Sequence, residues 1–137
     1  MNGSELNRFF QAAAKVLEVD EVGLGTDFRA IDGWCSLNAF GLLVMMESDF
    51  AAPIAIDTFN KFKTVGDLYR EAVVARAASI LGVARASLSP QTQRADIPEW
   101  DSVNHLRLVM ELERDFGVRY SLELIPEMNK LSDFAVE

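Results

Sequence analysis

Apolar residues recur at helical spacing along four stretches of the chain, and polar, Gly- or Pro-containing stretches mark the breaks between them. Ser4 is placed to cap a first helix whose apolar stripe is Leu6, Phe9, Phe10, Ala13, Val16 and Leu17. Residues 19–33 hold three glycines and scattered acids without periodicity, which predicts a long loop. A second helix is predicted from Leu37 to about Phe50, ended by Pro53, with a short helical turn over Asp57 to Phe62. Thr64-Val65-Gly66-Asp67 has the spacing of a capping box, with Asp in the place of Glu. The residues from Glu71 to Leu81 contain neither Pro nor Gly and read as helix, closed by Gly82. Residues 84–99 are loop-like, and the strongest helical pattern runs from Val103 to Phe116 before Gly117. Ser121 and Asn129 are placed to cap two short final helices, Leu122 to about Met128 and Leu131 to Val136. The predicted class is all-α.

The order of elements occurs twice. A shift of 66 residues carries Ser36 onto Ser102, Trp34 onto Trp100, Asn38 onto Asn104, Glu47 onto Glu113, Phe50 onto Phe116 and Asp67 onto Asp133. Upstream, a shift of 64 carries Leu17 onto Leu81 and Val19 onto Val83, so the second loop is two residues longer. Two tandem helical bundles follow, residues 1–71 and 72–137. In register, the last helix of the first bundle overlaps the first helix of the second. The overlap predicts one continuous helix over Val65–Leu81, about 25 Å long, joining the two.

Composition narrows the functions open to such a chain. Its 137 residues are 50% apolar, enough for a core. A net charge of −8 disfavours nucleic acid, which needs basic patches, and suits partners with basic faces. No apolar run is long enough to span a bilayer, the first residues lack a secretory profile, and Cys35 is the only cysteine. The expectation is a cytoplasmic monomer that binds neither nucleic acid nor membrane.

Catalytic and metal chemistry lack parts. His105, the only histidine, follows Ser102 by three residues, close enough on a helix for a Ser–His pair. There is no Gly-x-Ser-x-Gly elbow and no oxyanion donor set beside it, so His105 is expected to be an exposed helical residue. One Cys, one His and scattered carboxylates make no metal-ligand pattern, and Gly23-Leu24-Gly25 is too little for a phosphate loop. What remains is the polar step Trp100-Asp101-Ser102-Val103 at a helix start, where the simplest role of Asp101 or Ser102 is capping.

Asp101-Ser102-Val103, Leu106, the run Leu108 to Glu113, and Asp115-Phe116-Gly117-Val118 resemble the acyl carrier protein family, whose domains bind phosphopantetheine. Ile80-Leu81-Gly82-Val83 and the late Leu131-Ser132-Asp133 fit the same family, so the resemblance covers essentially the whole second half. It implies that a phosphopantetheinyl transferase loads Ser102 with 4′-phosphopantetheine from coenzyme A. The arm then holds acyl groups as thioesters supplied by an acyl-loading ligase or exchanged with an acyl-transferring synthase, in fatty acid, polyketide or related biosynthesis. Such a chain is not an enzyme but a substrate of enzymes. Asp101, Val103, Leu106, Met110 and Glu111 would then serve transferase recognition and partner contact, within an acidic rim of Glu111, Glu113 and Asp115. Ordinary core is the alternative role for much of that aliphatic stripe, with Val103 and Met110 the better contact candidates.

The first half departs from the family pattern. Trp34-Cys35-Ser36-Leu37 keeps the serine but replaces the carboxylate with Cys, and its helix is greasier. Ser36 is therefore a second attachment candidate expected to be modified weakly or not at all. The competing function is a carrier-like interaction module without any prosthetic group.

Overall fold

The computed structural model describes residues 8–135, so the cap expected at Ser4 and the expected helix end at Val136 lie outside the described residues. Within these bounds the regular structure is five α-helices, several single 3-10 turns and two isolated β-bridges, with no strand. The helices are α1 (Arg8–Leu17), α2 (Ser36–Phe50), α3 (Ile56–Phe59), α4 (Val65–Leu81) and α5 (Ser102–Phe116). None is long and apolar enough to cross a membrane.

Helix α4 is continuous through Ala72, as the overlap of the two repeats predicted. Thr64 Oγ1 accepts from the Asp67 amide, and the Asp67 carboxylate accepts from the amides of Lys63 and Thr64. These bonds satisfy first-turn donors that would otherwise be orphaned. At the other end Gly82 adopts φ 72°, the left-handed cap open to glycine without strain. Buried residues occur all round the helix, from Val65, Leu68 and Tyr69 to Val73, Val74, Ala77 and Ile80, so it packs on several sides at once.

Equivalent backbone hydrogen bonds recur at the shift of 66. The amides of Phe28, Val65 and Gly66 donate to Lys63, Thr26 and Leu24, and those of Arg94, Leu131 and Ser132 donate to Asn129, Thr92 and Pro90. The two bridges, Asp27 with Thr64 and Gln93 with Lys130, are related by the same shift. Asp133 repeats the role of Asp67, accepting from the amides of Asn129 and Lys130 at 3.1 Å each. The two extra residues of the second loop fall between Val83 and Ser89, around the 3-10 turn Arg85–Ser87.

The repeats share one contiguous core. Phe50 and its equivalent Phe116 stack with centroids 5.4 Å apart, and Phe9 and Tyr69 pack against both or one of them at 4.9–6.2 Å. Helix α1 approaches α2 at Gly41, where a Cβ would lie 2.9 Å from Val16 Cγ1.

The C-terminal elements differ from expectation. The helices expected at 122–128 and 131–136 are 3-10 turns, Ile125–Glu127 and Leu131–Phe134. Pro126 supplies no amide to propagate the first of them. Ser121 does not cap it with its side chain, because its hydroxyl donates to the Glu123 carboxylate. Asn129 does not cap the second, where the Asp133 carboxylate does so. The segment is tied down by the buried Tyr120 hydroxyl, which donates to Phe134 O at 2.6 Å. Burial, reinforced by Tyr69 and Glu113, pushes that hydroxyl's ionisation far above the usual phenol range.

Two stability predictions follow from the caps. Ala51 closes α2 at φ 52°, in the position equivalent to Gly117, which has φ 69°. Ala51→Gly is therefore expected to stabilise the protein by about 0.5–1 kcal/mol, read as a higher urea midpoint at unchanged slope. A midpoint that falls would refute this. Partial burial acts to raise the Asp67 pKa, but the Lys63 and Thr64 amides and the Arg70 guanidinium outweigh it and hold the carboxyl below its usual value. A lowered folded-state value adds stability above the ordinary carboxylate range and loses it as pH falls through the folded value. The melting temperature of Asp67→Asn is expected to lie below wild type from pH 7 to about pH 5, with the gap closing below about pH 4. An undiminished gap at pH 3 would refute the assignment.

Candidate functional site

Ser102 is the first residue of α5 and is exposed. It stands there because Asp101, in extended conformation, caps the helix: its Oδ1 accepts from the Asn104 amide at 2.9 Å. The Asn104 side chain donates in turn to Glu99 O at 2.7 Å, fastening the preceding loop to the first turn. Trp100 is buried against Phe134 and His105 and anchors the same step from below.

Beside Ser102 stands Arg94, from the 3-10 turn Arg94–Asp96. Its Nη2 donates to Ser102 Oγ and its Nε to Trp100 O, each at 3.3 Å. Arg94 belongs to no local motif that would single it out. The signal was there in the repeat, since the shift of 66 sets Arg94 against Phe28, an exchange of buried aromatic for charge.

His105 is not the exposed residue expected; only 4% of its surface is accessible. The Trp100 indole donates to His105 Nδ1 at 2.9 Å, which leaves the proton on Nε2 to be donated to Ile125 O at 2.7 Å. Both ring nitrogens are thus engaged away from Ser102, and no Ser–His pair forms.

The stripe expected to touch partners is at the surface. Val103 and Met110 are each 68% exposed and Leu106 is 56% exposed, while Leu108, Val109 and Leu112 fill the core. The same positions of α2, Leu37, Phe40 and Val44, are also exposed, as are the equivalent Ile56 and Leu122. The carboxylates expected to form an acidic rim also have partners within the chain. Glu111 accepts from Arg76 at 2.8 Å and Arg114 at 2.7 Å, Asp115 pairs with Arg76 at 2.5 Å, and Glu113 accepts from the Tyr120 amide. All three carboxylates hold α5 to α4 or to its own neighbours, and Arg107, which has no ion pair among the described residues, stands exposed beside the stripe.

Ser36 occupies the same place on α2 and is also exposed, but its surroundings differ. Cys35 makes no side-chain cap to the first turn. Instead Asn38 Oδ1 accepts from the Cys35 amide at 3.0 Å and lies 3.2 Å from its thiol. No hydrogen bond reaches the Ser36 hydroxyl among the described residues. The described residues contain no group of three or more His, Cys, Asp or Glu side chains able to hold a metal ion.

The Trp100–His105 pair generates a prediction. Trp100→Phe strands the buried Nδ1 acceptor and is expected to cost about 1–3 kcal/mol in chemical denaturation beyond the loss of packing, the excess being measured against the same substitution made in a His105→Phe background.

Compared with protein-family models, with curated proteins and with solved structures, the chain finds no match in any of the three.

Proposed function

We propose that this chain is an acyl carrier protein made of two carrier-like units, residues 1–71 and 72–137, in which Ser102 bears a 4′-phosphopantetheine arm. The observation that carries the proposal is the exposed Ser102 hydroxyl at the start of α5, with the Asp101 cap on one side, Arg94 at 3.3 Å on the other, and Val103, Leu106 and Met110 exposed along the helix beyond it. Capping alone accounts for Asp101 but not for the exposed apolar stripe, which is unusual in a helix with an otherwise well-sorted surface.

The residues fit the group. A phosphodiester on Ser102 Oγ would find free amides of the first turn and a guanidinium within reach. In loading, Ser102 Oγ bonds to the phosphorus of coenzyme A that bears the pantetheine. The pyrophosphate bond breaks, adenosine 3′,5′-bisphosphate leaves, and the hydroxyl proton passes to the transferase. Once attached, the arm supplies a thiol that carries acyl groups as thioesters. Asp101 holds Ser102 on the first turn and offers its second carboxylate oxygen to a basic residue of the transferase. Val103, Leu106 and Met110 provide the apolar contact for the transferase and for acyl-loading or acyl-transferring enzymes. Glu111, tied to Arg76 and Arg114, braces the helix and offers its partly exposed carboxylate at the edge of the same contact.

Intact-protein mass after incubation with coenzyme A and a broad-specificity transferase tests the proposal. One addition is expected, lost in Ser102→Ala and kept in Ser36→Ala. Asp101→Ala is expected to slow loading about tenfold, the factor for one charge-assisted hydrogen bond. No addition would leave the chain as an interaction module acting through its apolar stripes alone. Two additions would make Ser36 a working site.

A further inference from the structure

Arg70, Arg76, Arg85 and Arg114 each pair with a carboxylate and Arg29 is held by two backbone carbonyls, whereas Arg94 has no ion-pair partner among the described residues and faces the exposed Ser102 hydroxyl. Its two modest hydrogen bonds, to Ser102 Oγ and Trp100 O, engage two of five guanidinium donors. An unneutralised charge is thus held against the hydroxyl proposed for modification.

Arg94 also borders an open cleft of about 540 Å³, lined with Gln93, Ala95, Trp100 and Asn129. The equivalent positions of the first half are Asp27, Phe28, Arg29, Trp34 and Lys63. There the Arg29 guanidinium lies across the space, 5.1 Å from the Phe28 ring and 5.9 Å from that of Trp34. It donates to Phe62 O at 2.9 Å and Phe59 O at 2.8 Å, so it is bound to its own half. In the second half the residue at Arg29's position is Ala95, which leaves the cleft open, and the charge has moved one residue back to face the serine.

We infer that Arg94 is a positioning residue for the group carried by Ser102: its guanidinium holds the non-bridging phosphate oxygens and seats the first part of the arm along the cleft of Gln93, Ala95, Trp100 and Asn129. The inference rests on Ser102 being the attachment site. A neutral hydroxyl is a weak partner for a guanidinium, and a phosphodiester one bond further on is a strong one, with two oxygens suited to the planar fork. Among the described residues no guanidinium donates to the Ser36 hydroxyl, and Arg29 is bound to Phe59 O and Phe62 O instead, so the difference between the halves extends beyond Cys35.

The test uses the full chain labelled with ¹⁵N, as wild type, Arg94→Gln and Arg94→Lys, each treated with coenzyme A and a broad-specificity transferase and weighed intact. The readouts are the Arg94 Nε–Hε resonance and the ³¹P signal of the protein-bound phosphodiester. Loading is expected to shift the Arg94 resonance and slow its solvent exchange about fivefold to tenfold, as one charge-assisted hydrogen bond would. The ³¹P signal of loaded Arg94→Gln is expected to differ from wild type, with Arg94→Lys in between. If Arg94→Gln is not loaded, the wild-type resonance before and after loading decides. Full loading with an unmoved Arg94 resonance and an unchanged ³¹P signal overturns the role of Arg94 and leaves Ser102 as the attachment site. No gain in mass, or a gain that survives Ser102→Ala, overturns both.

Discussion

Helix α4 belongs to both halves of the molecule, and most of the architecture depends on it. Its first turn closes the first repeat through the Thr64–Asp67 box and the bonds to Thr26 and Leu24, and its last turns open the second. A helix serving one bundle needs a single apolar stripe, but α4 buries Val65, Leu68 and Tyr69 near one end and Val74, Ala77 and Ile80 near the other, in different directions. Seventeen residues of unbroken helix, about 25 Å, leave no hinge between the halves. The Phe9, Phe50, Tyr69 and Phe116 cluster and the Arg76 bridges to Glu111 and Asp115 then lock α2 and α5 against the same rod.

Much of this was legible because it is local. Caps, Gly stops and the capping box are each written within four residues, and the shift of 66 brings them out twice. That Arg85 would reach across to the Glu71 carboxylate, or Arg76 to Glu111, was not legible, since those bonds span many residues and several side chains compete for each. Spacing alone put Glu111, Glu113 and Asp115 on α5, but their partners, Arg76 on α4, Arg114 on α5 and the Tyr120 amide, are set by the tertiary fold. His105 is a similar case. Its partners are an indole from the preceding loop and a carbonyl twenty residues on, so its burial follows from tertiary packing and not from helical period. The turn Ile125–Glu127 does not extend to a helix because Pro126 and the Ser121–Glu123 bond act against propagation within a single turn.

Equivalent frameworks with unequal contents make the comparison of halves informative. The backbone bonds around 24–28 and 63–66 recur around 90–94 and 129–132, so positions can be matched residue by residue. Against that constant frame, Cys35 faces Asp101, Phe28 faces Arg94 and Arg29 faces Ala95. Each exchange puts apolar contact or a self-satisfied side chain in the first half where the second has a carboxylate, a free guanidinium or open space. In the first half the arginine is turned inward, with Arg29 packed on Phe28, Phe59 and Trp34.

One feature does not divide this way. Leu37, Phe40, Val44 and Ile56 are exposed in the first half, and their equivalents Val103, Leu106, Met110 and Leu122 are exposed in the second. A half that had become purely structural would gain by making such positions polar, because uncovered apolar side chains favour association and contribute nothing to the core. The exposed helix face and the surroundings of the serine therefore vary independently in this fold: the face is kept in both halves, while Asp101, Arg94 and the cleft beside them belong to the second half alone. Under the carrier proposal the second half uses both, while the first half has the surface without the chemistry.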